Sequence, residues 1–296
     1  MRLSSQKRVR LAAGPYVAEL VPAAGGRIAS LVWQQAGTRR PLLVPWDGRA
    51  FDEHHWPKAG AFPMLPFANR LPKDGFSFGG RVVRPQPGPA GFALHGLAHR
   101  RPWQLLDSST RHAVLKWAHD GSGADWPWAC SATQDVRLGD AGLAVALTVT
   151  NDASEPMPIG IGWHPYHPVH AAITGRDLGL HAAGRRNLGP GGIAERESRE
   201  PAFAMQRGET AAFTGWDGHL GLRIGAPGAL AVKCEGADRL VLHRPATGDY
   251  LCAEPVTVLP GHLGKEDPAA PLAGVLQPGA SQRLTWSCGY VCPWIA

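Results

Sequence analysis

The sequence has no run of about eighteen apolar residues free of charge, glycine or proline, so no membrane-spanning helix is expected. Its start, MRLSSQKRVRLAAGPYVAEL, lacks the continuous apolar core of a secretory signal, and the expectation is a cytoplasmic protein. Cysteine is scarce. The five residues Cys130, Cys234, Cys252, Cys288 and Cys292 are odd in number and form no CxxC pair, which suits reduced, mostly buried thiols rather than a disulfide framework. Cys288 and Cys292 lie near each other, but no second cysteine pair or spaced histidine pair accompanies them, so no metal is expected. No strand is followed by a glycine-rich phosphate loop, which removes the usual signal for a dinucleotide, and no cofactor is expected. The net charge of +6 is spread over scattered pairs such as Arg39-Arg40, Arg100-Arg101 and Arg185-Arg186. Without a basic helix or a recognition motif, such scatter argues against a nucleic-acid partner.

Helical signals are also missing: no segment of about twelve residues shows clean 3.6-residue periodicity with caps at both ends. What is abundant is punctuation, with 37 glycines and 27 prolines, which breaks up helices but tolerates many short strands joined by turns. Apolar, β-branched segments bounded by turn residues predict strands at Val9–Leu11, Val17–Val21, Ile28–Trp33, Ala113–Trp117, Leu143–Thr150, Leu220–Ile224, Leu230–Cys234, Leu240–His243 and Ser281–Tyr290. No linker, low-complexity tract or repeat divides the chain, so residues 1–296 read as a single domain. The fold class is all-β: at this size, many antiparallel strands bury their alternating faces as a large antiparallel β-sandwich. A monomer or a homodimer is expected.

Five segments could carry chemistry. In GAFPMLPFANRLPKDGFSFGG an Asn69-Arg70 pair stands among apolar residues. A guanidinium so placed needs acceptors, either ligand hydroxyls or carboxylates, or an acidic side chain or loop carbonyls of the protein. In FALHGLAHRRPW, His95 precedes Gly96, which would allow close backbone or ligand approach, while His99 beside Arg100 and Arg101 reads as surface. A lone histidine is more often a structural residue, and His95 alone carries little weight.

The segment IGIGWHPYHPV follows the strongest strand and its turn, and it gathers Trp163, His164, Tyr166 and His167. Pro165 and Pro168 exclude the helix that usually presents paired histidines to a metal, and the reading is a ligand-binding loop with an aromatic wall, a proton donor and a hydroxyl. In YLCAEPVT, Glu254 sits in an apolar, strand-like context. It is either idle at a strand end or projects into a site where partial desolvation raises its basicity. In FTGWDGHL, Trp216 and Asp217 form either an ordinary Asp-Gly turn or a stacking platform with an acceptor for hydroxyls.

In this order, the segments resemble the aldose 1-epimerase family, the galactose mutarotase type, over essentially the whole chain. FPMLPFANRLPKDGFSFGG resembles its early Asn-Arg block, ALHG its first histidine motif, GWHPYH its second and CAEPVT its late glutamate motif. The resemblance implies a β-sandwich of the galactose mutarotase type with an open groove on one sheet and a small-molecule sugar as partner. It also implies roles: Glu254 as base on the anomeric hydroxyl, His164 as acid on the ring oxygen and His95 assisting it. Asn69, Arg70, Asp217, Tyr166 and Trp163 would bind the sugar. Such chemistry needs acid and base catalysis alone. His167 is a departure, standing where the better-known galactose mutarotases have an aromatic residue, and it would alter the groove wall.

Three alternatives stay open. A hexose-6-phosphate mutarotase would draw a basic pocket from Arg39, Arg40, Lys58, Arg100 or Arg101. A non-catalytic sugar-binding protein would keep the groove without proton transfer. A lyase or glycoside hydrolase would want paired carboxylates, where only one well-placed acid is evident.

Overall fold

The computed structural model describes residues 7–88, 91–123, 125–169, 173–174, 177–188, 192, 194–198, 205–224, 228–263 and 274–292. Two large antiparallel sheets dominate it, of eleven and eight strands, and the described residues contain only two short 3-10 turns as helix. Every strand expected from the sequence is present. Additional strands at Ala61–Met64, Cys130–Gly139 and Gly162–Pro168 complete the sheets.

The eight-stranded sheet centres on Ser281–Val291, flanked by Gly142–Asn151 and Ala229–Glu235. Its sequences alternate as a one-sided sheet should. In Cys130–Gly139 the residues Cys130, Ala132, Gln134, Val136 and Leu138 are buried, while their neighbours are partly or fully exposed. Cys130, Cys234 and Cys288 are free thiols buried in the core between the sheets, and Cys292 is exposed.

The middle of the eleven-stranded sheet runs in the order Arg27–Gln35, Ala61–Met64, Gly162–Pro168, Tyr250–Val256, Arg239–His243 and Thr210–Thr214. These strands are buried on both faces, so alternation of polarity gives way to near-continuous burial. One face packs on the other sheet through Trp163, Leu240, Leu242, Leu251, Ala253 and Phe213. The opposite face carries Phe62, Tyr166, Val241, Cys252 and Ala212, and is covered by the connecting segments.

Most of the segment Ile159–Val169 is therefore not the expected loop: Gly162–Pro168 is a central strand. Its prolines are accommodated because pairing here is sparse: Gly162–Pro165 pairs with Met64–Ala61 on one side, while Tyr166–Pro168 pairs with Cys252–Tyr250 on the other.

Candidate active site

Register builds the floor of the site. Pairing of Gly162 with Val256 and of Tyr166 with Cys252 sets His164 directly opposite Glu254. Phe62 pairs with His164 from the other side, and Val241 pairs with Glu254. One row of side chains thus crosses the sheet in the order Phe62, His164, Glu254, Val241. The period of two places Tyr166 and Cys252 one step along the same face.

His164 Nε2 lies 3.3 Å from Glu254 Oε1, and Phe62 stacks on the imidazole with centroids 4.6 Å apart. Behind Phe62, at 4.7 Å from its ring centre, lies the wholly buried Arg27 guanidinium, which donates to the Ala59 carbonyl at 2.6 Å.

His95 and Asn69 arrive from two irregular segments zipped over the floor. His95 N donates to Asn69 O at 2.9 Å, Leu71 N to Ala93 O at 3.1 Å and Leu97 N to Leu65 O at 2.8 Å. Both Asn69 and His95 are left-handed, with φ of 56° and 61°. A left-handed histidine is unusual, and such residues cluster at functional sites where the surroundings hold them. Gly96 follows with φ of 75°, and a Cβ there would lie 2.0 Å from Leu65 O, so only glycine permits the zipper. The zipper sets the His95 ring perpendicular to His164 with centroids 4.7 Å apart, and brings Asn69 Nδ2 to Glu254 Oε2 at 3.2 Å.

Above this floor is a cavity of about 340 Å³ lined by His95, His164, Glu254, Asn69, Arg70 and Tyr166, with Trp56, Lys58, Thr210, His243, Tyr250 and Cys252 completing the walls. Its volume falls at the lower end of small-molecule sites. Trp56 Nε1 donates to Tyr166 Oη at 3.2 Å, and Thr210 Oγ1 is 2.7 Å from His243 Nδ1. Arg70 lies over Phe92, 4.9 Å from the ring centre. The second histidine motif and the late glutamate motif therefore meet through strand register, while the first histidine and the Asn-Arg pair meet them through a strained crossover.

Burial controls the protonation of this cluster. Desolvation raises Glu254 to about 8 against the opposing pull of Asn69 and Arg70. Desolvation also holds His95 and His164 well below the ordinary imidazole range, reinforced by His99 and Lys58 at His95 and by His95 and Lys58 at His164. In the empty site at neutral pH, both imidazoles are neutral and the proton of the His164–Glu254 pair resides mainly on the carboxyl group. The donor atoms of His95, His164 and Glu254 lie within 4.8 Å of one another, a set that could close on a metal ion. However, Arg27, Lys58 and Arg70 all bear on these groups, and such a field favours hydroxyls or anions over a divalent cation.

Four sequence readings are corrected. Trp163 lies on the opposite face of its strand from His164, wholly buried against Trp286 at 5.8 Å, and cannot touch a ligand in the cavity. His167 shares that inner face: its Nδ1 donates to the Leu42 carbonyl at 2.8 Å, so it is no part of the groove wall. Asp217 is exposed at the turn between Thr210–Thr214 in one sheet and His219–Arg223 in the other, where Oδ1 accepts from His219 N at 2.9 Å. Its place is a polar turn at the sandwich edge, outside the cavity lining. Finally, His99 is not surface but fully buried, with ring centroids 4.9 Å from Trp56 and 5.0 Å from Phe62.

Sequence reasoning missed Trp56, Thr210, His243, Tyr250 and Cys252, and raised Lys58 only among five cations that could form a phosphate pocket. The strand period was signal enough for three of them: Tyr250 and Cys252 stand four and two residues before Glu254, and His243 stands two after Val241. Trp56 and Lys58 lie in an irregular stretch with no local signal.

Comparison with known proteins bears on the family and the fold. Residues 7–188 match the family model described as Aldose 1-epimerase. The chain is 36% identical over 133 residues to the uncharacterised protein YphB of Escherichia coli K12, a match spanning 44% of this chain and 42% of that protein. The chain thus covers less than half the length of that curated relative. In fold, it is similar to a solved protein from Escherichia coli K12, with a TM-score of 0.81, 24% identity and coverage of 98% of this chain and 99% of that one. A galactose mutarotase-like protein from Lactobacillus casei superposes with a TM-score of 0.76 at 17% identity, covering 96% of this chain and 100% of its own. The β-sandwich is shared across both likenesses, and the family match spans more than half of the sequence, including Asn69, Arg70, His95 and His164: the chain belongs to the aldose 1-epimerase family.

Proposed function

We propose that the protein is an aldose 1-epimerase that interconverts the α and β anomers of an aldose by opening and reclosing the pyranose ring. Glu254 removes the proton of the anomeric hydroxyl, His164 delivers one to the ring oxygen, and His95 assists from the perpendicular wall. The single observation carrying this reading is the register-locked His164–Glu254 pair, 3.3 Å apart, on the floor of a sugar-sized cavity.

That spacing suits the reaction. The ring oxygen and the anomeric hydroxyl are bonded to the same carbon, so their acid and base must be near neighbours, not groups facing each other across the ring. The pair shares one proton, as carboxylic acid and imidazole or as carboxylate and imidazolium. A sugar that donates its anomeric hydroxyl to Glu254 and accepts at its ring oxygen from His164 hydrogen-bonds to the charged forms of both, which favours the reactive tautomer. After rotation about C1–C2, the same groups run in reverse on the other face.

Arg70 and Asn69 stand beside Glu254 and serve neighbouring hydroxyls, while Trp56 and Tyr166 supply apolar wall. A glycoside hydrolase would need a second carboxylate, and Glu254 is the only one among the described residues lining the cavity.

The test is to follow freshly dissolved aldoses by polarimetry or NMR. The wild type should speed approach to anomeric equilibrium, and Glu254→Gln should slow it by about 10² to 10⁴-fold while sparing sugar binding. Unchanged activity in Glu254→Gln would remove the carboxylate from the mechanism.

A further inference from the structure

We propose that the aldose taken by this site carries an anionic group, a carboxylate or a phosphate, on its terminal carbon, and that Lys58 binds it. The inference rests on the epimerase reading for the orientation of the sugar. Its support is the charge and layout of the cavity.

Lys58 and Arg70 both line the cavity, and Glu254 is the only carboxylate among the described residues there. Neither cation has a carboxylate within 4.0 Å among the described residues. Instead, Lys58 Nζ hovers 4.4 Å from the centre of the Trp56 ring and Arg70 lies on Phe92. Arg70 has a role at a neutral sugar, on its hydroxyls and on the Glu254 carboxyl, whereas Lys58 has none. Hydroxyls are usually held by mixed acids, amides and arginines, and among the described lining residues Glu254, committed to the anomeric hydroxyl, is the one acid. At the end of a floor strand stands His243, hydrogen-bonded to Thr210.

Position separates the two cations. Asn69, which precedes Arg70, contacts Glu254, and Arg70 acts directly on the Glu254 carboxyl, so Arg70 belongs to the anomeric end. Lys58 belongs to the other. Across the floor the order is Phe62, His164, Glu254, and Trp56 packs on Phe62 at 6.1 Å and donates to Tyr166 at 3.2 Å, with Lys58 over its ring. The charge of Lys58 also bears on His95, His164 and His243, which places it over the cavity rather than out in solvent.

In a pyranose the ring oxygen joins C1 to C5, and C5 bears the terminal carbon. With the anomeric hydroxyl on Glu254 and the ring oxygen on His164, the terminal carbon leaves on the side of Phe62 and Trp56. Lys58, exposed at that rim, is the group it meets. Of the other basic residues raised from the sequence, Arg39 and Arg40 lie on the Thr38–Pro41 strand paired to Arg27–Gln35, and Arg101 is engaged by Glu53 at 2.9 Å. Arg100 donates to the Leu94 carbonyl at 3.2 Å and borders the neighbouring cavity.

The experiment compares a neutral hexose, the corresponding hexuronate and its 6-phosphate, by NMR exchange for anomerisation and by calorimetry for binding, in the wild type, Lys58→Met and Lys58→Arg. One of the two acidic sugars should be preferred over the neutral one by about 10- to 100-fold in kcat/KM, the range of a charge-assisted hydrogen bond, and which one identifies the anion. Lys58→Met should remove that preference, costing the acidic sugar about 10- to 100-fold more in kcat/KM than the neutral one, and Lys58→Arg should restore part of it. Equal or better turnover of the neutral sugar, or equal losses on all three in Lys58→Met, overturns the inference. Lys58-dependent binding of an acidic sugar without anomerisation of any would uphold it and overturn the epimerase reading instead.

Discussion

Two histidines on one strand, His164 and His167, face opposite sides of the same sheet. Both are buried, and both are held below the ordinary imidazole range chiefly by desolvation, His167 at about 4. Each also leaves one ring nitrogen without a protein partner, Nδ1 of His164 and Nε2 of His167. They differ in what surrounds them. His164 meets a carboxylate, a second imidazole and an open cavity, whereas His167 meets a backbone carbonyl and stacks near Trp286 at 6.5 Å. A perturbed imidazole is therefore not itself a sign of chemistry; access to a ligand and a titratable neighbour is.

The sharpest way to break the comparison is to truncate each histidine. His164→Ala should reduce anomerisation by about 10² to 10⁴-fold in polarimetry, whereas comparable activity in both variants would erase the distinction between the two faces. The next largest effect is on pH. Because the reactive tautomer needs the one proton that His164 and Glu254 share, kcat/KM should be level below about 8 and fall about tenfold per pH unit above it, as Glu254 loses that proton. A profile flat from about pH 6 to 9 would contradict the assignment of the buried carboxyl as the titrating base.

His167→Ala should instead act on stability, costing about 2 to 4 kcal/mol in denaturant melts through lost packing, with kcat/KM within about threefold of wild type. The sign of its pH dependence follows from linkage. A folded pKa near 4 against 6.5 unfolded means the stability due to neutral His167 is complete above about 6.5 and is lost as pH falls toward 4. The variant should thus lose stability less steeply over that window. Asp217→Ala should show the smallest effect, about 1 kcal/mol from a lost turn hydrogen bond and kcat/KM within about twofold of wild type. A large fall in kcat/KM would return Asp217 to the sugar site.

Much of this architecture was legible in the residues. Strands such as Gly142–Asn151 and Ser281–Val291 announce themselves because one face is apolar and the ends carry turn residues. The central strand Gly162–Pro168 does not, since burial on both faces erases the alternation and two prolines mimic a loop. The site shows the same division. His95, His164, Glu254, Asn69 and Arg70 were found from short motifs and are brought together, while Trp163 and Asp217 were drawn in by sequence adjacency and are not. Adjacency misleads in a strand, where consecutive side chains point to opposite faces.

The sequence by itself determined an all-β chain, because its glycines, prolines and β-branched runs leave no other regular structure able to bury its apolar faces, and it supplied the imidazoles and the carboxylate. Only the tertiary structure decided which of those groups meet. Strand register over about ninety residues of separation, from His164 to Glu254, sets the acid opposite the base. The close packing of two covering segments forces His95 into a left-handed conformation above them. Desolvation then sets their protonation, and that is a property of enclosure which no local pattern of residues contains.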